Sequence, residues 1–149
     1  MTDERLIVAL DVHSMDEVES LVETLGDSVG FYKVGMELFY SMGAQVIEYL
    51  KGKRKKVFLD LKLHDIPNTV ASALRVLTRL GVDMINVHAT GGLIMMEKAL
   101  EAVRDEAEKL GIERPKLVAV TILSSISLKD WNRMWPDIDL DDQAVHLAK

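Results

Sequence analysis

The chain contains no cysteine, few aromatic residues and only three prolines. Without cysteine it can form neither disulfides nor thiolate metal sites. No apolar run approaches the roughly 18 residues that a transmembrane helix needs, and the first residues lack the apolar segment of a signal peptide. We therefore expect a cytoplasmic protein that makes no membrane contact.

The chain has fewer basic than acidic residues: 18 Lys and Arg against 24 Asp and Glu, for a net charge of −6. Binding to a nucleic-acid backbone needs a basic surface, so this balance argues against nucleic acid as the main partner. A small anionic substrate stays open, since a local basic site can lie on an acidic protein. The 149 residues, 48% of them hydrophobic, suffice for one domain with a core.

Short apolar runs alternate with segments of helical periodicity along the chain. The runs predict strands at residues 6–10, 31–34, 57–63, 84–87 and 117–123. Helical spacing predicts helices at residues 15–25, 37–50, 67–80, 93–110, 128–134 and 141–148. Alternating strands and helices indicate an α/β fold with a parallel sheet. No linker is visible, so residues 1–149 are expected to belong to one domain.

Charged and polar residues follow the apolar runs at their C-terminal ends, namely Asp11, Lys33, Asp60, Lys62 and His88. In a (β/α)₈ barrel these ends converge on one mouth, where active sites lie. An open doubly wound sheet would spread them along a line, with a ligand only at a switch point. No glycine-rich phosphate loop of either common type is present. The pattern therefore favours the first five strands of a barrel over a doubly wound sheet.

The third predicted strand places two charges on one face. With a side-chain period of two, Asp60 and Lys62 both face the barrel interior, about 6–7 Å apart along the strand. Charges rarely enter such a core unpaired, so a structural salt bridge at the barrel rim is one interpretation. Lys33 and Asp65 lie close by in the predicted topology. Four alternating charges can neutralise one another while each stays ionised, which favours a catalytic cluster.

At residues 60–70 the chain reads DLKLHDIPNTV, which resembles the signature of the orotidine 5′-phosphate decarboxylase family. Further similarity lies in VALD at residues 8–11, KVG at 33–35, VHA at 87–89 and VTILSS at 120–125. The eleven-residue segment is highly specific, whereas the shorter ones are weak by themselves. The resemblance extends over the chain to about Ser127.

The resemblance implies a (β/α)₈ barrel that converts orotidine 5′-phosphate to uridine 5′-phosphate without a cofactor or metal, in pyrimidine biosynthesis. It implies a catalytic tetrad of Lys33, Asp60, Lys62 and Asp65. In this interpretation Lys62 protonates C6 of the pyrimidine as carbon dioxide leaves, and Asp60 lies against the departing carboxylate.

The resemblance also implies how substrate and subunits are held. Asp11, Lys33 and Thr69 would contact the ribose, and Ser124 would contact the pyrimidine ring. Asp65 and Ile66 would enter the active site of a partner subunit, which implies a homodimer.

Two other functions stay open. Magnesium-dependent sugar-phosphate decarboxylases and aldolases share the D-x-K-x-x-D pattern, but they carry an acidic residue where this chain has Lys33. The second is a non-catalytic fragment or assembly module. The family's barrel has eight strands, and the sequence predicts five here, without the mobile loop and basic residue that grip the substrate phosphate. On that reasoning the chain alone is expected to be inactive or nearly so. For Asp65, capping of the following helix is the simpler alternative.

Overall fold

The computed structural model describes residues 5–149 of the chain. Residues 1–4, on which part of the signal-peptide prediction rests, lie outside the described residues. One sheet contains five parallel strands in chain order: β1 (Val8–Ala9), β2 (Phe31–Gly35), β3 (Lys56–Leu63), β4 (Met84–His88) and β5 (Lys116–Val120). A doubly wound sheet would reverse its strand order at a switch point. The parallel α/β arrangement is therefore confirmed, with the sequential order of a barrel.

Seven α-helices lie between and after the strands of the described chain: α1 (Met15–Leu25), α2 (Met36–Met42), α3 (Gln45–Gly52), α4 (Pro67–Thr78), α5 (Leu93–Leu110), α6 (Leu128–Met134) and α7 (Leu140–Leu147). The predicted helices at 15–25, 93–110 and 128–134 are confirmed with the same bounds. None of the helices in residues 5–149 is both long and apolar enough to cross a membrane.

Local capping signals determine several of these helix ends. Ser14 and Glu17 form a reciprocal capping box at the start of α1. Pro67 occupies the first turn of α4, where its missing N–H costs nothing. Gly111 ends α5 in the left-handed conformation, with φ of 64°. Because these signals depend on few neighbouring residues, the bounds follow from the sequence.

The helix predicted at residues 37–50 is wrong in one respect, because the structure divides it into α2 and α3. Gly43 separates the two, with φ of 61° and ψ of −143°, a backbone conformation that is essentially open to glycine alone. Its N–H donates to the Phe39 carbonyl at 2.7 Å and closes α2. The apolar residues keep helical spacing across the break, so periodicity alone does not reveal it.

The first and last strands are shorter than predicted. The apolar runs at 6–10 and 117–123 become the two-residue β1 and the five-residue β5. Both are edge strands of the described sheet, since β1 pairs only with β2 and β5 only with β4. A strand is defined by its ladder of hydrogen bonds, and an edge strand has a partner on one side only.

Helices cover one face of the sheet and build the core there. The core joins strand residues such as Leu59 and Ile85 to helical residues such as Leu74 and Val103, all of them fully buried. Along β3 the side chains alternate as predicted. Val57, Leu59 and Leu61 are buried, whereas Phe58, Asp60 and Lys62 are partly exposed on the opposite face. The charged residues therefore lie on the face that a barrel would enclose.

Gly43→Ala is expected to destabilise the fold by about 1–3 kcal/mol, because alanine must adopt a conformation that L side chains rarely accept. Gly52→Ala is the matched control: it lies at the end of α3, its φ is not positive, and its added Cβ meets nothing within 4 Å. Chemical denaturation followed by circular dichroism measures both. Equal stability of the two variants would contradict the role assigned to Gly43.

Candidate active site

An open cavity of about 310 Å³ lies at the C-terminal ends of β1, β2 and β3. Its polar lining comes from three strand ends, the loop after β1 and the first turn of α2: Asp11, His13, Lys33, Glu37, Asp60 and Lys62. The carboxyl ends of parallel strands meet at one edge, which is where barrel enzymes hold their substrates. The structure thus confirms that the polar strand ends of β1 to β3 converge.

Opposite charges alternate across this cavity. The Lys62 ammonium lies 2.6 Å from Oδ1 of Asp60. The Lys33 ammonium lies 3.8 Å from Oδ2 of the same carboxylate and 3.4 Å from Oδ1 of Asp11. Each oxygen of Asp60 therefore faces a different cation. The Asp60 side chain is 12% exposed and that of Asp11 is 79% exposed, so the cluster runs from the cavity wall to solvent.

The environment of Asp60 keeps this carboxyl ionised. Burial acts to raise its pKa, but hydrogen bonds from the Lys62 and Asn86 side chains outweigh that effect, together with the positive charges of Lys62 and Lys33. The net result is a pKa below the ordinary aspartate value. Asp60 is therefore a fixed negative charge at neutral pH and not a proton donor.

A β-bulge sets the position of Lys62. The pairing of β3 with β4 shifts register between Leu59, which lies opposite Ile85, and Leu63, which lies opposite Val87. Within the bulge Lys62 adopts a φ of 50°, in the left-handed region. Its backbone N–H donates to Oδ1 of Asn86 at 2.7 Å instead of to a β4 carbonyl. Bulges of this kind re-aim a side chain at the rim of a barrel.

Asn86 is a site residue that the sequence analysis missed. Only 2% of it is exposed, and its Nδ2 donates to Oδ1 of Asp60 at 2.6 Å. A signal was present, because Asn86 is the one amide in the apolar run Met84–His88. A buried amide needs partners, and here those partners belong to the charged strand.

The predicted tetrad is joined only in part within one chain. Lys33, Asp60 and Lys62 are in contact, whereas Asp65 lies on the loop between β3 and α4. Asp65 and Thr69 line a separate cavity of about 300 Å³, which Lys62 also borders. Ser124 is exposed in a turn after β5 and does not line the charged cavity.

Capping of α4 does not account for Asp65. Ile66 is the residue at the helix cap, and no side chain makes a capping bond there. Oδ1 of Asp65 instead accepts from the N–H of Ile66 at 2.7 Å, before the helix begins. Asp65 is exposed and Ile66 is 67% exposed, so both side chains are available to another molecule.

Beside the charged cluster, two histidine rings contact each other. The rings of His64 and His88 have centroids 5.2 Å apart. Burial, followed by the charges of His64 and Lys62, lowers the pKa of His88 below the ordinary value. Both rings border a cavity of about 560 Å³ that extends to Trp131 and Trp135. In residues 5–149 no three His, Asp or Glu side chains are grouped closely enough to hold a metal ion.

Comparison with known proteins agrees with the sequence resemblance. Residues 4–148 match the model of the "Orotidine 5'-phosphate decarboxylase / HUMPS family". A relative from Bacillus cytotoxicus, named orotidine 5'-phosphate decarboxylase, is 56% identical over 145 residues, which are 97% of this chain and 60% of that protein. One of the same name from Carboxydothermus hydrogenoformans is 49% identical over 146 residues, 98% of this chain and 60% of the relative.

A solved structure extends the agreement to the fold. The crystal structure of orotidine 5'-phosphate decarboxylase from Lactobacillus acidophilus superposes with a TM-score of 0.88 at 41% identity, over 97% of this chain and 65% of that one. The first curated relatives are matched over 52% to 60% of their length. The predicted barrel fold class and the predicted resemblance are both confirmed, and the chain belongs to the orotidine 5'-phosphate decarboxylase / HUMPS family.

Proposed function

We propose that the protein carrying this chain decarboxylates orotidine 5′-phosphate to uridine 5′-phosphate, a step of pyrimidine biosynthesis, without a cofactor. The observation that carries the proposal is the contact between the Lys62 ammonium and the ionised Asp60 carboxylate in the cavity at the strand ends. Family membership and relatives that bear the name of this activity support it.

In the proposed reaction, the bond between C6 of the pyrimidine and its carboxylate breaks and carbon dioxide leaves. The electron pair of that bond stays on C6, which then takes a proton from the Lys62 ammonium. Asp60 is too acidic to supply this proton, but its carboxylate holds the Lys62 ammonium at 2.6 Å. Product and carbon dioxide account for all atoms, and Lys62 regains its proton from water.

Repulsion between Asp60 and the substrate carboxylate is only one part of the catalysis. Two like charges about 4 Å apart repel by about 4 kcal/mol at an effective dielectric of about 20. That corresponds to roughly three decades in rate. Most of the remaining effect is assigned to Lys62 and fixed dipoles that stabilise the charge developing on C6. Binding of the ribose and phosphate holds that geometry.

Other residues are proposed to bind the nucleotide. Asp11 presents an exposed carboxylate and Lys33 an ammonium 3.4 Å from it, which suits the adjacent hydroxyls of a ribose. Thr69 and Ser124 are proposed as further contacts to ribose and pyrimidine, on the strength of the family match.

We also propose that the protein is a homodimer in which Asp65 and Ile66 reach the partner's site. Within one chain Asp65 is not in contact with Lys33 or Asp60, although the family resemblance groups them. The 67% exposure of Ile66, a large apolar side chain at a helix cap, supports contact with a second subunit.

The chain is further proposed to be the N-terminal part of one barrel domain. The sequential order of the strands and the edge positions of β1 and β5 support this. If the phosphate is gripped elsewhere in the protein, the chain by itself should turn over substrate slowly or not at all. Absence of turnover in the whole protein would instead favour a non-catalytic assembly module.

Lys62→Ala in the active protein is expected to lower kcat by about 10²- to 10⁴-fold, because the proton donor is lost. The reaction is monitored by the loss of substrate absorbance, and circular dichroism checks that the variant is folded. Lys98→Ala is the matched control, since Lys98 is exposed on α5 and pairs with Glu101 on the same helix. A Lys62→Ala enzyme that keeps most of its activity would overturn the assignment.

Treatment with a chelator is expected to leave activity unchanged. The Lys33 ammonium lies between Asp11 and Asp60, where a divalent cation would meet its repulsion. The magnesium-dependent alternative predicts the opposite result, namely loss of activity with the chelator and recovery on adding Mg²⁺.

Ile66→Glu is expected to convert a dimer to a monomer, because it places a charge in the proposed apolar contact. Native mass spectrometry measures the oligomeric state directly. Leu128→Glu is the control, because Leu128 is a large apolar side chain of similar exposure, 61%, on a different helix, α6. A monomeric state of the unmodified whole protein would rule out the dimer.

A further inference from the structure

Asn86 is buried between Ile85 and Val87 on β4, yet its side chain lies against the charged cluster of the neighbouring strand. It is 2% exposed, which makes it the most enclosed polar residue of the candidate site. The Asn86 amide is neutral and belongs to β4, so it is not one of the charged groups of β3. Its contacts define what it does.

Both ends of the amide are used, and both bonds go to residues of the β3 bulge. Oδ1 accepts from the Lys62 backbone N–H at 2.7 Å. Nδ2 donates to Oδ1 of Asp60 at 2.6 Å. One planar group therefore sets the distance between the backbone of one charged residue and the carboxylate of the other.

The bond from the Lys62 N–H to Oδ1 of Asn86 replaces a backbone hydrogen bond that the bulge removes. The register shift between Leu59 and Leu63 removes the regular ladder acceptor from Lys62, whose φ is 50°. An N–H in this setting requires another acceptor. Oδ1 of Asn86 supplies it and so holds Lys62 in the conformation from which its side chain enters the cavity.

The second bond keeps Asp60 oriented during the reaction. Oδ1 of Asp60 accepts from both the Lys62 ammonium and Nδ2 of Asn86, each at 2.6 Å. When Lys62 gives up its proton, that ammonium becomes a neutral amine. Nδ2 of Asn86 remains a donor to the same oxygen, because an amide does not titrate in this range. The carboxylate thus keeps one fixed partner throughout the transfer.

We propose that Asn86 is a positioning residue, which acts through Lys62 and Asp60 by clamping the bulge backbone and the carboxylate together. This inference rests on the proposed function for its effect on turnover. The effect of Asn86 on the positions of Asp60 and Lys62 does not depend on the proposed function and can be measured without substrate.

Two variants separate the two bonds. Asn86→Asp keeps the shape and an acceptor for Lys62 but replaces the donor to Asp60 with a like charge, whereas Asn86→Ala removes both bonds. Thr78→Val is the matched control, because Thr78 is fully buried and its hydroxyl donates to the Leu74 carbonyl inside α4. The control measures what loss of a buried hydrogen bond does by itself.

Carbon-13 NMR of the aspartate carboxyls is expected to show a higher pKa for Asp60 in both Asn86 variants and an unchanged one in Thr78→Val. The hydrogen bond from Asn86 is among the causes that lower this pKa in the unmodified chain. In the active protein, kcat is expected to fall about 10- to 100-fold with KM little changed, as for a misplaced catalytic group. An unaltered Asp60 titration, or a kcat equal to that of Thr78→Val, would overturn the proposal.

Hydrogen exchange in the unmodified chain tests the clamp even if a variant fails to fold. The Lys62 amide and the Asn86 side-chain amide are expected to exchange as slowly as the β3 ladder, and exchange at the rate of exposed loops would refute the clamp. If the unmodified protein proves inactive while the Asp60 pKa still depends on Asn86, the decarboxylase proposal fails and the positioning role survives.

Discussion

The ionised carboxylate of Asp60 is the group around which the candidate site is organised. It lies against the wall of the cavity with the Lys62 ammonium and the Asn86 amide on one oxygen and Lys33 facing the other. A charge this enclosed is tolerated only when its lone pairs are occupied. Three strands meet that requirement, because β2 carries Lys33, β3 carries Lys62 and β4 carries Asn86. The sequential strand order is what brings these three groups to one carboxylate.

The arrangement separates two tasks that a single residue could not perform together. Asp60 supplies a permanent negative charge, since its pKa is held low. Lys62 carries the ammonium that the proposed reaction uses as its proton donor, and its position depends on the backbone of a bulge and not on a regular strand. The neighbouring His88 has a lowered pKa and so adds no further positive charge near neutral pH. Of the two ammonium groups that face Asp60 in the described cavity, that of Lys62 is the closer.

Sequence reasoning succeeded where the relevant signal is local. The bounds of α1 and α5 were predicted from helical spacing and coincide with caps at Ser14 and Gly111 in the structure. The face of β3 that carries Asp60 and Lys62 follows from the two-residue period of a strand. It failed at Gly43, because apolar spacing does not report backbone dihedral angles. It also missed Asn86, whose role depends on how β3 and β4 are registered, a property of two strands together. The separation of Asp65 from Lys33 likewise arises only in three dimensions.

The bulge in β3 has a consequence for how such a site can be transferred or remodelled. The acceptor for the Lys62 backbone lies 24 positions along the chain, on a strand with no charged side chain pointing into the cluster. Grafting the segment DLKLHD onto another parallel sheet would carry the charges but not the left-handed turn that aims one of them. Engineering this chemistry therefore requires the pair of strands β3 and β4 as the minimal unit. The amide equivalent to Asn86 must be placed first, because it fixes the backbone that carries the lysine.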